Sequence, residues 1–354
     1  MILHLFPAEK FTKDYINRIY QLFNREDHIF IIYGKLKEEY RLNEITEKEN
    51  VIFTKKLYNL GKRFKELIIS STKVICHSLF FNLLDLIMLN KVISKSQATL
   101  SWFIWGKDLY EDYDKSKSFK GILLVKPLMK EIVRKSLIKK VDIFITTGDY
   151  EVLQKRYKLK TGAKQMEAQY TYKLLKVINK EKNEKTNVMV GHSATETCRH
   201  IDTFQILKKY AGKIKVYCPL SYPQNDTYIN KVSAIGKNIF GDDFIAMTNF
   251  MKYEEYVDFL NSMDIGVFNN NRQQGMGNIT NLLYLGKKLY LSEDNTIRKS
   301  YCKPEYYIYD CKDIEESDFL IPLNKEQSTN NKNHIINKFS KENFYSEWRK
   351  IFDE

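Results

Sequence analysis

Cysteine, proline and glycine are all scarce in this chain: five, six and fourteen residues respectively among 354. The cysteines (Cys76, Cys198, Cys218, Cys302 and Cys311) stand alone, with no C-x-x-C pair. An odd, scattered set excludes a disulfide framework and a structural zinc site, and reads as small buried hydrophobes in a reducing compartment. So little glycine and proline excludes a collagen-like or low-complexity protein. A long hydrophobic run is also missing. The most apolar segment, Leu79–Leu89, is interrupted by Asn82 and Asp85 and falls short of the ~18 residues that span a bilayer. The start, MILHLFPAEK, lacks the basic n-region and small-residue cleavage site of a signal peptide. These absences predict a cytoplasmic protein, free to lie on a membrane surface.

Apolar and aromatic residues are plentiful, at 43% and 14%, and the net charge is +13. Such a composition excludes disorder, and the length predicts two domains, each with its own core. In the N-terminal half, apolar strands at Ile2–Phe6, His28–Tyr33, Val51–Thr54, Val74–His77, Ala98–Trp105 and Val141–Thr146 alternate with helical spacings such as Phe11–Phe23. Alternation of this kind predicts a parallel sheet with helices on both faces. Val177–Asn187 is polar and reads as a linker. A second series follows, with strands at Val188–Val190, Ile214–Cys218, Phe244–Met247, Asp264–Val267 and Leu289–Leu291. The reading is a domain over 1–176, a linker over 177–187, a domain over 188–330, and a tail over 331–354. The aromatic tail helix FYSEWRKIF is expected to cross back onto the N-terminal domain. The fold class is α/β, with two Rossmann-like domains facing across a cleft, a common place for ligands.

Five places could carry chemistry. Arg272-Gln273-Gln274-Gly275-Met276-Gly277 follows a strand and opens an apolar helix. Free N–H groups and the positive helix end suit a phosphate there, and Arg272 adds a forked donor. The spacing is neither a Walker A loop nor G-x-G-x-x-G, and an ordinary strand-to-helix turn explains it equally well. Gly191-His192-Ser193 repeats the arrangement after the first strand of the second domain, where a capped turn is the plainer explanation. Tyr222, before Pro223, could stack on a base or a sugar, or simply mark a turn. His77 and Asp108 both end strands of the N-terminal domain, Asp108 among Trp102 and Trp105. The C-terminal strand ends are the ligand edge of an open α/β sheet. A general base could stand at either position, although a lone histidine among apolar residues is commonly structural.

Charge supplies two further readings. Asp112-Tyr113-Asp114 could hold a divalent cation against a diphosphate, but so short an acidic match recurs by chance. Lys115–Lys140 has nine basic residues and a single acid, Glu131. From Pro127 onward, Leu128, Met129, Ile132, Val133 and Leu137 share one helical face, expected to pack inward. Lys130, Arg134, Lys135 and Lys139 take the other. This basic face suits anionic lipid or a lipid diphosphate. Nucleic-acid binding is the non-enzyme alternative, though no recognised motif supports it.

The segments WFIWGKDLYE, VGHSATETCRHI, PLSYPQNDTYI and RQQGMGNITNLL, in that order, resemble the bacterial TDP-N-acetylfucosamine:lipid II N-acetylfucosaminyltransferases of enterobacterial common antigen synthesis. The resemblance spans about His77 to Trp348. It implies a GT-B fold, a nucleoside-diphosphate-sugar donor (dTDP or UDP) held by the C-terminal domain, and a polyprenyl-diphosphate-linked saccharide acceptor at the inner membrane face. The expectation is a metal-independent transferase with no cofactor. Arg272, Gln273, Gln274, Gly275 and Gly277 would hold the diphosphate. Gly191, His192 and Ser193 would touch phosphate or sugar, Tyr222 would lie by the nucleotide, and Asp108 or His77 would be the base. A metal-dependent transferase using Asp112 and Asp114 stays open as the alternative enzyme.

Overall fold

The computed structural model describes residues 1–45, 49–110, 125–178, 184–301, 304–315 and 318–354. The chain forms two compact units, one of Met1–Thr171 with Lys341–Glu354, the other of Tyr172–Ser340.

The first unit runs β1 (Ile2–Pro7), α1 (Thr12–Leu22), β2 (His28–Tyr33), β3 (Val51–Thr54), α2 (Gly61–Ser70), β4 (Lys73–His77), α3 (Leu83–Ile93), β5 (Thr99–Phe103), α4 (Val125–Ile138), β6 (Ile143–Ile145), α5 (Tyr150–Arg156) and β7 (Lys164–Met166). Its strands are parallel, in the order β3-β2-β1-β4-β5-β6-β7. The order reverses between β1 and β4, so the two chain directions diverge there and leave room for a ligand beyond the strand ends. The second unit runs β8 (Thr186–Val190), α6 (His200–Leu207), β9 (Ile214–Pro219), α7 (Asp226–Phe240), β10 (Phe244–Met247), α8 (Tyr253–Ser262), β11 (Ile265–Phe268), α9 (Met276–Tyr284), β12 (Lys288–Leu291), β13 (Tyr309–Asp310) and α10 (Lys325–Lys338). Its parallel order is β10-β9-β8-β11-β12-β13, with the reversal between β8 and β11. The last helix, α11 (Lys341–Asp353), belongs to the first unit. Both units are Rossmann-like, and the architecture is GT-B.

The expected boundaries shift for packing reasons. The chain leaves the first unit at Thr171 rather than within 177–187. Leu175 is buried in the second core, and the Ile178 amide donates to Asn261 Oδ1 at 2.8 Å. At the other end, residues 331–338 stay with the second unit as part of α10. Asn324 and Gln327 form a capping box at its start, and Ile335 is buried. Only α11 returns.

One face of the first sheet is covered by α2, α3 and α4, the other by α1 and α11. Trp348 of α11 is fully buried, and its Nε1–H donates to the Gln169 carbonyl at 2.9 Å. Lys73 Nζ on β4 donates to the Ile351 carbonyl. These bonds stitch α11 across a gap of more than 170 residues in sequence.

Helix α4 is rotated from its expected setting. Leu137, Ile138 and Arg134 are buried, whereas Leu128, Met129 and Ile132 are exposed. Arg134 turns the helix: its guanidinium donates to the Asp108 carbonyl and lies over the Trp102 ring, 5.6 Å from the centroid. A cation among apolar residues is tolerated where it is hydrogen-bonded and stacked. Asp112, Asp114 and the 115–124 part of the basic stretch lie outside the described residues. No helix among the described residues is long and apolar enough to cross a membrane.

Because Trp348 fills the space between α1 and the sheet, Trp348→Ala is expected to destabilise the first unit by about 3–5 kcal/mol. A denaturant titration followed by circular dichroism checks this, and a loss below about 1 kcal/mol would show that α11 is dispensable.

Candidate active site

In the second unit the turns after β8 and β11 flank the reversal point, where an open α/β sheet binds its ligand. Gly191 ends β8 with φ +67°. A Cβ there would stand 2.5 Å from His200 Nε2, so glycine is required by both conformation and space. Gly275, the N-cap of α9, has φ +73°, and a Cβ on it would lie 3.2 Å from His192 Nδ1. The ring of His192 therefore lies directly against the α9 turn and brings the two candidate segments together. Its Nε2 is 3.2 Å from Ser193 Oγ, and its Nδ1 is 3.5 Å from both Cys198 Sγ and Asn270 Nδ2. A second tie joins the same segments, since Thr197 Oγ1 donates to Gln274 Oε1 at 2.6 Å and the Asn271 amide to the Thr197 carbonyl at 3.1 Å.

The first backbone bond of α9 runs from the Ile279 amide to the Gly275 carbonyl. The amides of Met276, Gly277 and Asn278 thus lie ahead of the ladder and have no intrahelical acceptor. Gly277 is exposed, and Arg272, Gln273 and Gln274 are half-buried beside it. Gln273 Nε2 donates to Met276 Sδ, and Tyr172 Oη donates to the Gly277 carbonyl at 3.0 Å. Oriented amides, the positive end of a helix and a guanidinium in one place can neutralise a diphosphate. Tyr222 is exposed at the neighbouring β9 turn, its carbonyl accepting from the Ala194 amide at 2.7 Å. Its ring stacks on that of Phe250, with centroids 6.2 Å apart and planes 15° from parallel.

Three residues of this region escape sequence reading. Phe250 follows β10 as Tyr222 follows β9, a position at a strand end that could have marked it. Asn270 is fully buried beside His192. Cys198 is the third: burial raises its pKa, but hydrogen bonding and the coulombic effect of His192, with hydrogen bonds to Thr195 and Ser193, outweigh that and lower it to about 6.

In the first unit the two candidate bases occupy holding positions. Asp108 is 3% exposed. Its Oδ2 accepts from the Leu79 amide at 3.1 Å and from Trp102 Nε1 at 2.9 Å, and its Oδ1 from the Trp105 amide at 3.0 Å. The carboxylate pins the ends of β4 and β5 together. Burial raises its pKa, opposed by Arg134 and these bonds. His77 is fully buried, stacked on Phe6 with centroids 4.2 Å apart. Its Nε2 is 3.0 Å from His4 Nδ1, and its Nδ1 is 2.7 Å from Tyr170 Oη. His4 Nε2 in turn is 3.0 Å from His28 Nδ1. Three imidazoles thus form one buried chain across β2, β1 and β4. Asp108 and His77 are thus both buried and fully engaged within the first unit. The signal for the chain was a histidine inside each of the apolar strands ILHLFP and HIFIIY. Among the described residues, no three His, Cys, Asp or Glu side chains converge as metal ligands.

Two doubly wound parallel sheets in one chain, each with its own reversal point, are the architecture of the GT-B glycosyltransferases. The profile of the 4-alpha-L-fucosyltransferase family, glycosyl transferase group 56, matches residues 23–354, and the chain belongs to that family. Solved structures similar in fold include Anabaena HepE in complex with UDP and glucose, at TM-score 0.63 and 8% identity over 99% of each chain. A Rickettsia africae glycosyltransferase matches at TM-score 0.65 and 12% identity over 99% of this chain and 97% of its own. The lipopolysaccharide outer core galactosyltransferase WaaB matches at TM-score 0.61 and 13% identity over 100% and 99%.

Burial holds His4, His28 and His77 neutral, with the His28 pKa lowered to about 4 and the other two well below 6.5. The unfolded chain therefore binds more protons than the folded one once the pH falls below about 6.5. Stability is expected to be full above that value and to decline as the pH drops towards about 4, by ~1.4 kcal/mol for each unit of each shift. Denaturant midpoints at a series of pH values measure this, and a flat profile between neutrality and pH ~5 would show the imidazoles to be charged in the fold.

Proposed function

We propose that the chain transfers a sugar from a nucleoside-diphosphate donor, dTDP- or UDP-linked, to a polyprenyl-diphosphate-linked saccharide at the inner face of the cell membrane. The observation that carries this reading is the meeting of the β8 and α9 turns through His192 and Gly275. The free amides of α9 and the nearby Arg272 would suit a leaving diphosphate. Charge develops on the diphosphate as the glycosidic bond breaks, and fixed donors stabilise that charge without reorganising. Helix α9 and Arg272 would supply the positive charge that a metal supplies in other transferases, so the reaction proceeds without one. Gly191, His192 and Ser193 contact phosphate or sugar, Gln273 and Gln274 frame the turn, and the stacked Tyr222–Phe250 pair offers the base an aromatic face. The presence of UDP in the HepE complex supports a nucleoside-diphosphate donor. The family's fucosyl description supports a 6-deoxy sugar, and a 4-acetamido-4,6-dideoxy hexose fits both it and the resemblance in sequence.

Thermal shift with UDP and dTDP tests the site. A nucleotide bound only by the native protein stabilises it by about 2.7 kcal/mol at 100 times its dissociation constant. Arg272→Ala is expected to abolish most of that shift and to lower turnover by about 10²–10³-fold. Arg272→Lys is expected to restore only part, because an ammonium cannot reproduce the fork. Turnover should survive excess chelator. Unchanged nucleotide affinity in Arg272→Ala would overturn the assignment.

A further inference from the structure

Among the described residues, helices α3 and α4 carry an exposed apolar surface on the first unit. Both run against the direction of the parallel strands, because α3 leads from β4 to β5 and α4 leads into β6. They are therefore parallel to each other, and they lie side by side. Asn90 Nδ2 of α3 donates to Ser136 Oγ of α4 at 3.0 Å, and Lys140 Nζ donates to the Asn90 carbonyl at 3.0 Å. Their N-terminal ends stand at the C-terminal edge of the sheet.

The outward stripes of the two helices repeat one pattern. On α3, Leu84 and Ile87 are 56% and 40% exposed, and Lys91 follows on the same stripe. On α4, Leu128 and Ile132 are 60% and 58% exposed, and Lys135 follows. Met129 adds a further exposed apolar side chain beside Leu128, and Lys139 continues the basic part. Positions three, four and seven apart share a helix face. In both helices, then, the exposed stripe begins apolar at the sheet's ligand edge and becomes basic a turn or two later. Helical rise puts Lys135 about 10 Å along the axis from Leu128. Lys135 lies 3.7 Å from the half-buried Glu131 but is itself 55% exposed.

Sorting by depth along two parallel helices matches a bilayer interface, with acyl chains below and phosphate groups above. A flat protein partner would not impose it. We propose that the N-terminal turns of α3 and α4 dip into an anionic membrane surface, with Leu84, Ile87, Leu128 and Ile132 among the acyl chains and the lysines at the phosphates. Amphipathic helices bind interfaces through this combination, and lysine stems reach back to the headgroups. The inference rests on the reading of a lipid-linked acceptor and specifies how the enzyme meets the membrane that carries it. The ligand edge of the first sheet then lies at the depth of a polyprenyl diphosphate headgroup.

Co-sedimentation of the full chain with vesicles tests this, using phosphatidylcholine alone and phosphatidylcholine with about a quarter phosphatidylglycerol. Wild-type protein is expected to bind the anionic vesicles more tightly. The variant Leu84→Ser/Ile87→Ser/Leu128→Ser/Ile132→Ser should lose about tenfold or more in partitioning. Lys91→Glu/Lys135→Glu should lose the preference for phosphatidylglycerol, as should wild type in high salt. Absence of wild-type binding overturns the proposal, and so does wild-type binding by the serine variant. If sedimentation velocity shows a dimer that the serine variant abolishes, the ridge is an interface between two copies and the proposal fails. The nucleotide thermal shift on the same preparations reports folding and separates the two readings. Vesicle binding without any nucleotide response defeats the transferase reading alone, and the reverse defeats membrane docking alone.

Discussion

The approach of the His192 ring to the backbone at Gly275 is the contact on which the candidate donor site depends. It requires two missing side chains. Gly275 must lack a Cβ for the ring to lie against the turn, and Gly191 must lack one for the loop to leave β8 above His200. With both in place, the adjacent strands β8 and β11 send their chains in opposite directions and the α9 amides face the gap. A larger residue at either glycine would separate the turns before it touched any ligand. Backbone geometry thus precedes charge in building the site, and Arg272 adds to an arrangement that already favours an anion.

The first unit is organised around a different constraint. Strand β1 carries His4 in full burial, which neutral imidazoles tolerate when each ring nitrogen has a partner. The chain from His28 through His4 and His77 to Tyr170 supplies those partners, and α11 seals it from solvent through Trp348 and Phe352. Asp108 does comparable work at the edge, tying Leu79, Trp102 and Trp105 to one carboxylate. Asp108 and His77, the candidate bases, also hold the strand ends in register.

Most of the strands were legible because parallel strands buried on both faces read as continuous apolar runs. The strands that escaped were those without such a run: β7 is an edge strand with Lys164 and Gln165 exposed, and β13 has two residues. Helix α10 escaped because KEQSTNNKNHIINK is polar nearly all round. The face of α4 was misread for a subtler reason. Periodicity counted Arg134 as a surface charge, but Asp108 and Trp102, distant in sequence, had prepared a buried place for it. At the candidate donor site the glycines and Arg272 were visible as a motif. What His192 touches was not, since that depends on how β8 and β11 come to be neighbours.

The return of α11 to the first unit bears on the order in which the chain can fold as it is made. The whole of Tyr172–Ser340 intervenes between the first sheet and the helix that covers it. At about 5–20 residues per second that interval lasts roughly 10–30 s. During it the β1–β4 face, with its histidines, has α1 but neither Trp348 nor Phe344 upon it. The second unit has no such dependence and can complete itself first, although it is second in sequence. A ribosome carrying this chain therefore holds an unfinished apolar surface through nearly half of translation, which makes the first domain the one that chaperones would meet.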